Sequence, residues 1–262
     1  MFLSKSLSIA ILNPRRLLIL SFIISVFVQG KNGESPACKN TGPSSTGVCE
    51  NDTIVFAADN GKNNSKATEI DEKDVTINEL SARDANDRSC ASVGVVFARG
   101  TTEPGSVGTL AGPPFFDALK NKLGGGDIAI QGVNYPASVS GFLAGGSPAG
   151  ASEMARLITR SRENCPDMHL IVSGYSQGSQ VVHRATDQLP GDITEGIGAI
   201  VMFGDPLRGT PIKNYNSKRV LTVCHAGDKI CDGQSVVLAP HLTYSRDADN
   251  AAEFVMKSLA QK

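Results

Sequence analysis

The sequence predicts an α/β domain in which a mostly parallel sheet is covered by helices on both faces. Two observations carry this reading. Between residues 90 and 262, short β-branched apolar runs bounded by turn residues alternate with longer stretches whose apolar residues recur at helical spacing. Within that alternation, Leu170-Ile171-Val172 leads through Gly174-Tyr175-Ser176-Gln177-Gly178 into a helical segment. Strands that read as unbroken apolar runs are buried on both faces, which is why two helical layers are expected.

The elements follow in order. Val93–Ala98 (VGVVFA) is the first strand, and Phe115–Leu123 the first helix. Ile128–Val133 is the second strand, followed by a helix over Ala149–Arg162. Leu170–Tyr175 is the third strand. It feeds a helix over Gln177–Leu189, where Val181, Val182, Ala185 and Leu189 stand at helical spacing. Ile200–Phe203 and Val220–Cys224 complete the strands. A last helix, Ala248–Ala260, puts Ala252, Val255, Met256 and Leu259 on one face. About 173 residues in this order suffice for a substantial core. No internal repeat is present.

The first 89 residues read differently. Lys5, Arg15 and Arg16 precede an apolar run from Leu17 to Val28, ending at Gln29-Gly30. Twelve residues are short for a bilayer span, and a basic flank before a short apolar run is the secretory-signal arrangement, so residues 1–30 are expected to be removed. That implies a secreted, extracellular protein with no stable membrane association and with cysteines free to pair. Residues 31–89 are rich in Asn, Asp, Ser, Thr, Gly and Lys, with only short apolar pieces such as Thr53–Ala58 and Val75–Leu80. They are expected to form a mostly disordered tail or pro-segment. Asn51 and Asn63 sit in N-x-S/T acceptors for glycosylation, and Cys38 and Cys49 are placed to close a small loop.

Charge narrows the partners. The chain carries 25 Lys+Arg and 26 Asp+Glu, for a formal net charge of -1. Residues 1–49 total +4, residues 50–89 total -5, and residues 90–262 are neutral with fifteen of each sign. No basic stripe suggests nucleic acid or an anionic membrane. A neutral body suits an uncharged substrate.

The turn at Gly174–Gly178 has the form of a nucleophile elbow, in which flanking glycines let the chain reverse while the serine hydroxyl projects above the sheet. A serine hydroxyl needs a base, and the base needs a partner to hold its tautomer. On this scaffold the chain order is serine, acid, histidine. His183 lies inside the helix leaving the elbow and points away from Ser176. His225 precedes the best acid candidate. His241, in the loop Leu238–Leu242 after all the strands, is the expected base. Asp228 is the expected acid, thirteen residues earlier, with Asp205 the main competitor and Asp232 third.

Six cysteines allow fifteen connectivities, so the sequence alone does not assign them. Cys224–Cys231 is the economical local pair and would brace the loop holding Asp228. Cys90–Cys165 would then tie the start of the domain to the residues before the third strand. Chain entropy gives about 2.5 kcal/mol for the smaller loop and about 4.5 kcal/mol for the larger. A developing oxyanion needs two donors. The amide of Gln177 is one, by the geometry of the elbow. Thr101, in the loop after the first strand, offers an amide and a hydroxyl as the second.

Five stretches now stand in order: Ala98-Arg99-Gly100-Thr101-Thr102-Glu103; Gly132-Val133 with Tyr135-Pro136-Ala137; Gly174–Gly178; Cys224–Cys231 around Gly227-Asp228; and Pro240-His241-Leu242-Thr243-Tyr244. Together they resemble the fungal cutinases over residues 90–262. The resemblance implies a small α/β-hydrolase-like serine esterase with no large lid, acting on cutin, the plant cuticle polyester, or on small soluble esters. It implies Ser176, Asp228 and His241 as catalytic residues, Thr101 and Gln177 as oxyanion donors, and disulfides Cys90–Cys165 and Cys224–Cys231. Gly141–Ala144 and Val236–Ala239, near the expected cleft, are either a seat for an acyl chain or plain loop packing. The related acetylxylan esterases share the elbow and the Tyr135-Pro136-Ala137 stretch but are richer in cysteine. Acetylxylan or short-chain esterase activity is therefore the alternative within the class. A catalytically silent secreted surface-binding protein is the alternative outside it. No cofactor, metal or nucleic acid is expected, and a monomer is the default.

Overall fold

The computed structural model describes residues 75–85 and 89–260. The signal segment, Asn51, Asn63, Cys38 and Cys49 lie outside the described residues. The sheet has five parallel strands: β1 (Val93–Ala98), β2 (Ile128–Gly132), β3 (His169–Tyr175), β4 (Ala199–Phe203) and β5 (Val220–Val223), in spatial order β2-β1-β3-β4-β5. The helices are α1 (Glu79–Ala85), α2 (Gly112–Lys122), α3 (Val139–Leu143), α4 (Pro148–Asn164), α5 (Gln177–Thr186), α6 (Gly191–Glu195) and α7 (Ala248–Leu259).

Two cores flank the sheet because side chains alternate along each strand. Val93, Val95 and Phe97 point to one face and join Ile171, Val201 and Phe203 under α2 and α7. Val96 and Ala98 point to the other face and join Leu170, Val172, Ile200 and Met202 under α4 and α5. Every residue of β1 and β4 is buried. Pro148 opens α4, where its missing N–H costs nothing, and the Ser147 hydroxyl accepts from the Gly150 amide to cap it.

The strand order reverses between β1 and β3. In open α/β sheets that switch point leaves a crevice at the carboxyl ends of the strands. Here it is bordered by Arg99–Glu103 after β1 and by Ser176 after β3.

The five strands lie where the sequence puts them, within a residue at each end. All four helical predictions hold to within three residues; α5 stops earliest, at Thr186, whose hydroxyl turns back onto the carbonyls of Val182 and His183. Short α3 and α6 were not anticipated. Before residue 90, the short apolar piece Val75–Leu80 packs on the body of the domain. Val75 and Leu80 are buried, at 5% and 7% exposure. Asn78 bridges Gln131 on the outer strand β2, and the Glu79 carboxylate accepts from the Ile130 amide at 2.7 Å. Two buried aliphatics contribute about 1.5–3 kcal/mol each, enough to order a short segment along an otherwise open sheet edge.

Candidate active site

Ser176 stands between β3 and α5 with φ 56° and ψ −119°. A non-glycine residue in that region costs about 1–3 kcal/mol and persists only where its surroundings impose it. Here they do. A Cβ on Gly178 would overlap the Ala98 carbonyl, and one on Gly174 would overlap the backbone of Gly178. The chain reverses in a space that admits only hydrogen at both flanks. The Ser176 amide donates to the Phe203 carbonyl at 2.9 Å, fixing the turn to β4.

Three side chains from three loops meet in a line. His241 Nε2 lies 2.9 Å from Ser176 Oγ, and His241 Nδ1 lies 2.8 Å from Asp228 Oδ2. The line is almost closed to solvent: Ser176 is 6% exposed, His241 2% and Asp228 1%. Burial holds the His241 ring below its ordinary pKa, against the upward pull of the Asp228 carboxylate. Burial also pushes Asp228 up. Hydrogen bonds from Tyr244 and His241, with the Ile230 amide at 2.9 Å, outweigh it and leave the carboxyl below its usual value. The ring is thus a neutral base next to an ionised acid.

Disulfide Cys224–Cys231 brackets Asp228, and Cys90–Cys165 ties the start of the domain to the end of α4; both pairings are those the sequence resemblance implies. The competing acids and His183 have partners of their own. His183 Nε2 pairs with Asp205 Oδ2 at 3.0 Å, both buried, and Asp205 Oδ1 caps the Leu207 amide. Asp232 faces Arg208 and Lys229 at the surface.

The loop after β1 is built from inside. The Glu103 carboxylate, buried and raised in pKa by that burial, accepts from the amides of Gly100, Thr109 and Leu110 at 2.7, 2.9 and 3.0 Å. Arg99 donates to the carbonyls of Glu103 and Tyr135, both at 2.7 Å, and the Tyr135 hydroxyl donates back to the Arg99 carbonyl. Thr102 donates to the Ala137 carbonyl. The result places Thr101 opposite Gln177, whose Nε2 donates to Thr101 Oγ1 at 2.9 Å and to the Ser138 carbonyl at 2.8 Å. Ser138 needs a donor, which fixes the orientation of the Gln177 amide. With its oxygen already accepting, the Thr101 hydroxyl keeps its proton to donate elsewhere. Gln177 is the first residue of α5, so its own N–H has no partner within the helix.

Tyr244, Tyr175 and Glu103 support this site, and sequence reasoning gave them no role. The Tyr244 hydroxyl donates to Asp228 Oδ2, and the Tyr175 hydroxyl donates to the His241 carbonyl at 2.9 Å. The Tyr175 ring lies against the His241 ring with centroids 5.1 Å apart. Around the mouth, six large apolar side chains are exposed: Val139 and Leu143 on α3, and Val236, Val237, Leu238 and Leu242 beside His241. Among the described residues no group of three or more His, Cys, Asp or Glu side chains is arranged to hold a metal ion, and no helix is long and apolar enough to cross a membrane.

A parallel sheet that lifts a serine at its switch point, beside a histidine and a carboxylate in line, is the design of an α/β-hydrolase-like enzyme. Residues 89–259 match the family model described as Cutinase, and the chain belongs to that family of carboxylic ester hydrolases. It is 50% identical over 171 residues to a cutinase of Botryotinia fuckeliana, covering 65% of this chain and 85% of the relative. It superposes on the Trichoderma reesei cutinase solved with a C11Y4 phosphonate inhibitor with a TM-score of 0.63 at 45% identity, covering 69% of this chain and 85% of that one. An acetylxylan esterase structure matches with a TM-score of 0.53 at 20% identity, over 65% of this chain and 100% of that one, and shares the fold.

Proposed function

We propose that Ser176 is the nucleophile, His241 the base and Asp228 its orienting acid in a secreted esterase acting on cutin-type polyester and on soluble short-to-medium-chain esters. The observation that carries this is the unbroken line from Ser176 Oγ through both nitrogens of His241 to Asp228. His241 Nε2 takes the serine proton as Oγ attacks the ester carbonyl carbon. The Gln177 amide and the Thr101 amide and hydroxyl hold the oxyanion, each donor contributing about 3 kcal/mol to the transition state. Collapse breaks the bond to the alcohol oxygen, which leaves with the proton from His241. Water, deprotonated by the same ring, then attacks the acyl-enzyme and releases the acid, restoring Ser176. Asp228 stays a carboxylate throughout.

The apolar rim supports a greasy polymer as substrate, because it lets the mouth sit on an apolar surface without closing a lid. The apolar run Leu17–Val28 behind Lys5, Arg15 and Arg16, together with the two disulfides, supports export to an oxidising medium. In this reading the enzyme is a monomer, and the sugar acceptors Asn51 and Asn63 lie in the tail or pro-segment of residues 31–89, whose last part, from Val75, packs on the domain.

The experiment is hydrolysis of p-nitrophenyl esters from acetate to palmitate, wild type beside Ser176→Ala, with cutin and acetylated xylan in parallel. We expect highest rates at short-to-medium chains, release of cutin monomers, and loss of all activity in the variant. Acetate release from xylan without cutin hydrolysis would move the substrate to the polysaccharide. A rate unchanged in Ser176→Ala would remove the serine from the reaction.

A further inference from the structure

We propose that His225, anchored by Asp247, is a positioning residue for the reaction: it fixes the turn that carries His241 and, through Tyr244, the carboxylate that His241 faces. This rests on the roles assigned above to Ser176, His241 and Asp228.

The need for such a device is visible in the chain between acid and base. Residues 232–239 are exposed throughout and belong to no strand or α-helix until the short 3-10 turn at Ala239–Leu242. Within that connection the Leu238 carbonyl accepts from the His241 amide at 2.9 Å, which closes the turn without anchoring it to the rest of the fold. Two side chains anchor it, by holding two consecutive carbonyls. Tyr175 donates to the His241 carbonyl at 2.9 Å, and His225 Nδ1 lies 2.8 Å from the carbonyl of Pro240, the residue before. The opposite nitrogen, His225 Nε2, lies 2.6 Å from Asp247 Oδ2 at the start of α7. Thr243 adds its hydroxyl, 3.2 Å from Nδ1 and 3.1 Å from the Pro240 carbonyl.

The same histidine reaches the acid. Its ring stacks on Tyr244 with centroids 4.3 Å apart and planes 20° apart. Its backbone amide donates to the Tyr244 hydroxyl at 3.2 Å, and that hydroxyl in turn donates to Asp228 Oδ2. Its carbonyl accepts from the Asp228 amide at 3.1 Å, closing the turn that the Cys224–Cys231 bridge encloses. One residue therefore touches the backbone beside the base, the tyrosine that supports the acid, and the acid's own turn. It touches none of the reacting atoms. Its position at a partly open surface matters for testing: the side chains of His225 and Asp247 are 24% and 21% exposed. His225 lines a shallow hollow of about 440 Å³ with Ala239, Pro240, Thr243 and Arg246.

Three variants of the full chain, assayed on a soluble short-chain ester with thermal unfolding alongside, test the role. His225→Phe keeps a flat ring against Tyr244 and removes both nitrogens. We expect kcat to fall about tenfold or more with KM nearly unchanged, since a reacting group misplaced by about 1 Å loses about a hundredfold in rate. His225→Asn keeps a donor where Nδ1 stood, and recovers most of that loss through the Pro240 carbonyl. Asp247→Asn leaves an acceptor for Nε2 but removes its charge, and falls between. A purely structural role would lower the unfolding temperature and leave kcat of the folded enzyme alone.

Folded His225→Phe with wild-type kcat, or His225→Asn as slow as His225→Phe, overturns the positioning role. Should His225→Phe fail to fold, Asp247→Asn decides: reduced kcat at unchanged KM supports the role, and wild-type kcat overturns it. Ser176→Ala in parallel separates the two readings. If it keeps the wild-type rate, the nucleophile assignment falls and this role with it. A serine-dependent rate indifferent to His225 overturns the positioning role only.

Discussion

His241 receives opposing instructions from its neighbours. Burial strips water from the charged ring and lowers its pKa, while Asp228 favours the charge and raises it; burial prevails. A base whose pKa lies below the ordinary value of about 6.5 stays unprotonated to lower pH, so the acid limb of kcat/KM is expected below pH 6.5. A kcat/KM profile on a soluble ester whose acid midpoint falls above 6.5 would contradict that balance. Ser176 was legible in the sequence because its motif comes with a strand before and a helix after. Asp228 and His241 were legible by chain order and elimination, and by the resemblance of the stretches that hold them. The structure gives the elimination its physical content, since His183 and Asp205 satisfy each other and are unavailable to Ser176. Tyr244 and Glu103 could not be found that way. Their bonds close loops whose shape no local pattern records: Tyr244 meets Asp228 sixteen residues away, and Glu103 turns its carboxylate onto amides on both sides of it in the chain.

Among the elements, the elbow is the least tolerant. Replacing Gly178 by alanine drives a methyl into the Ala98 carbonyl, which ends the interior strand β1, paired on both sides, and has no room to retreat. We expect Gly178→Ala to destabilise by about 3 kcal/mol or more, at the upper end of overpacking effects. A thermal unfolding midpoint equal to wild type would show that the turn yields. Strands were the most legible elements because burial on both faces makes them unbroken apolar runs. The short helices α3 and α6 were not, because five residues span less than two turns and show no period. The residues 75–80 segment was visible as a brief apolar piece, but its partner, the outer strand β2, lies some fifty residues away in sequence.

At the scale of the molecule, the sheet is held between two separate cores, and its β2 edge is covered by the stretch through α1. Removing residues up to 89 would bare Val75's site and unpair the amide of Ile130. A chain beginning at residue 90 is therefore expected to unfold at lower temperature and to self-associate through that edge; equal unfolding temperature and a monodisperse species in sedimentation would argue otherwise. The exposed apolar rim brings with it a different kind of kinetics. An enzyme that rests on a film through Leu143, Val237 and Leu242 searches in two dimensions, and the number of footprints available limits it. On the proposed polyester its velocity should level off as enzyme is added, once the surface is tiled. Milling the same mass of polymer more finely should raise that plateau in proportion to area, and a plateau indifferent to area would mean that the rim does not touch the film. For such an enzyme, the effective substrate concentration is an area.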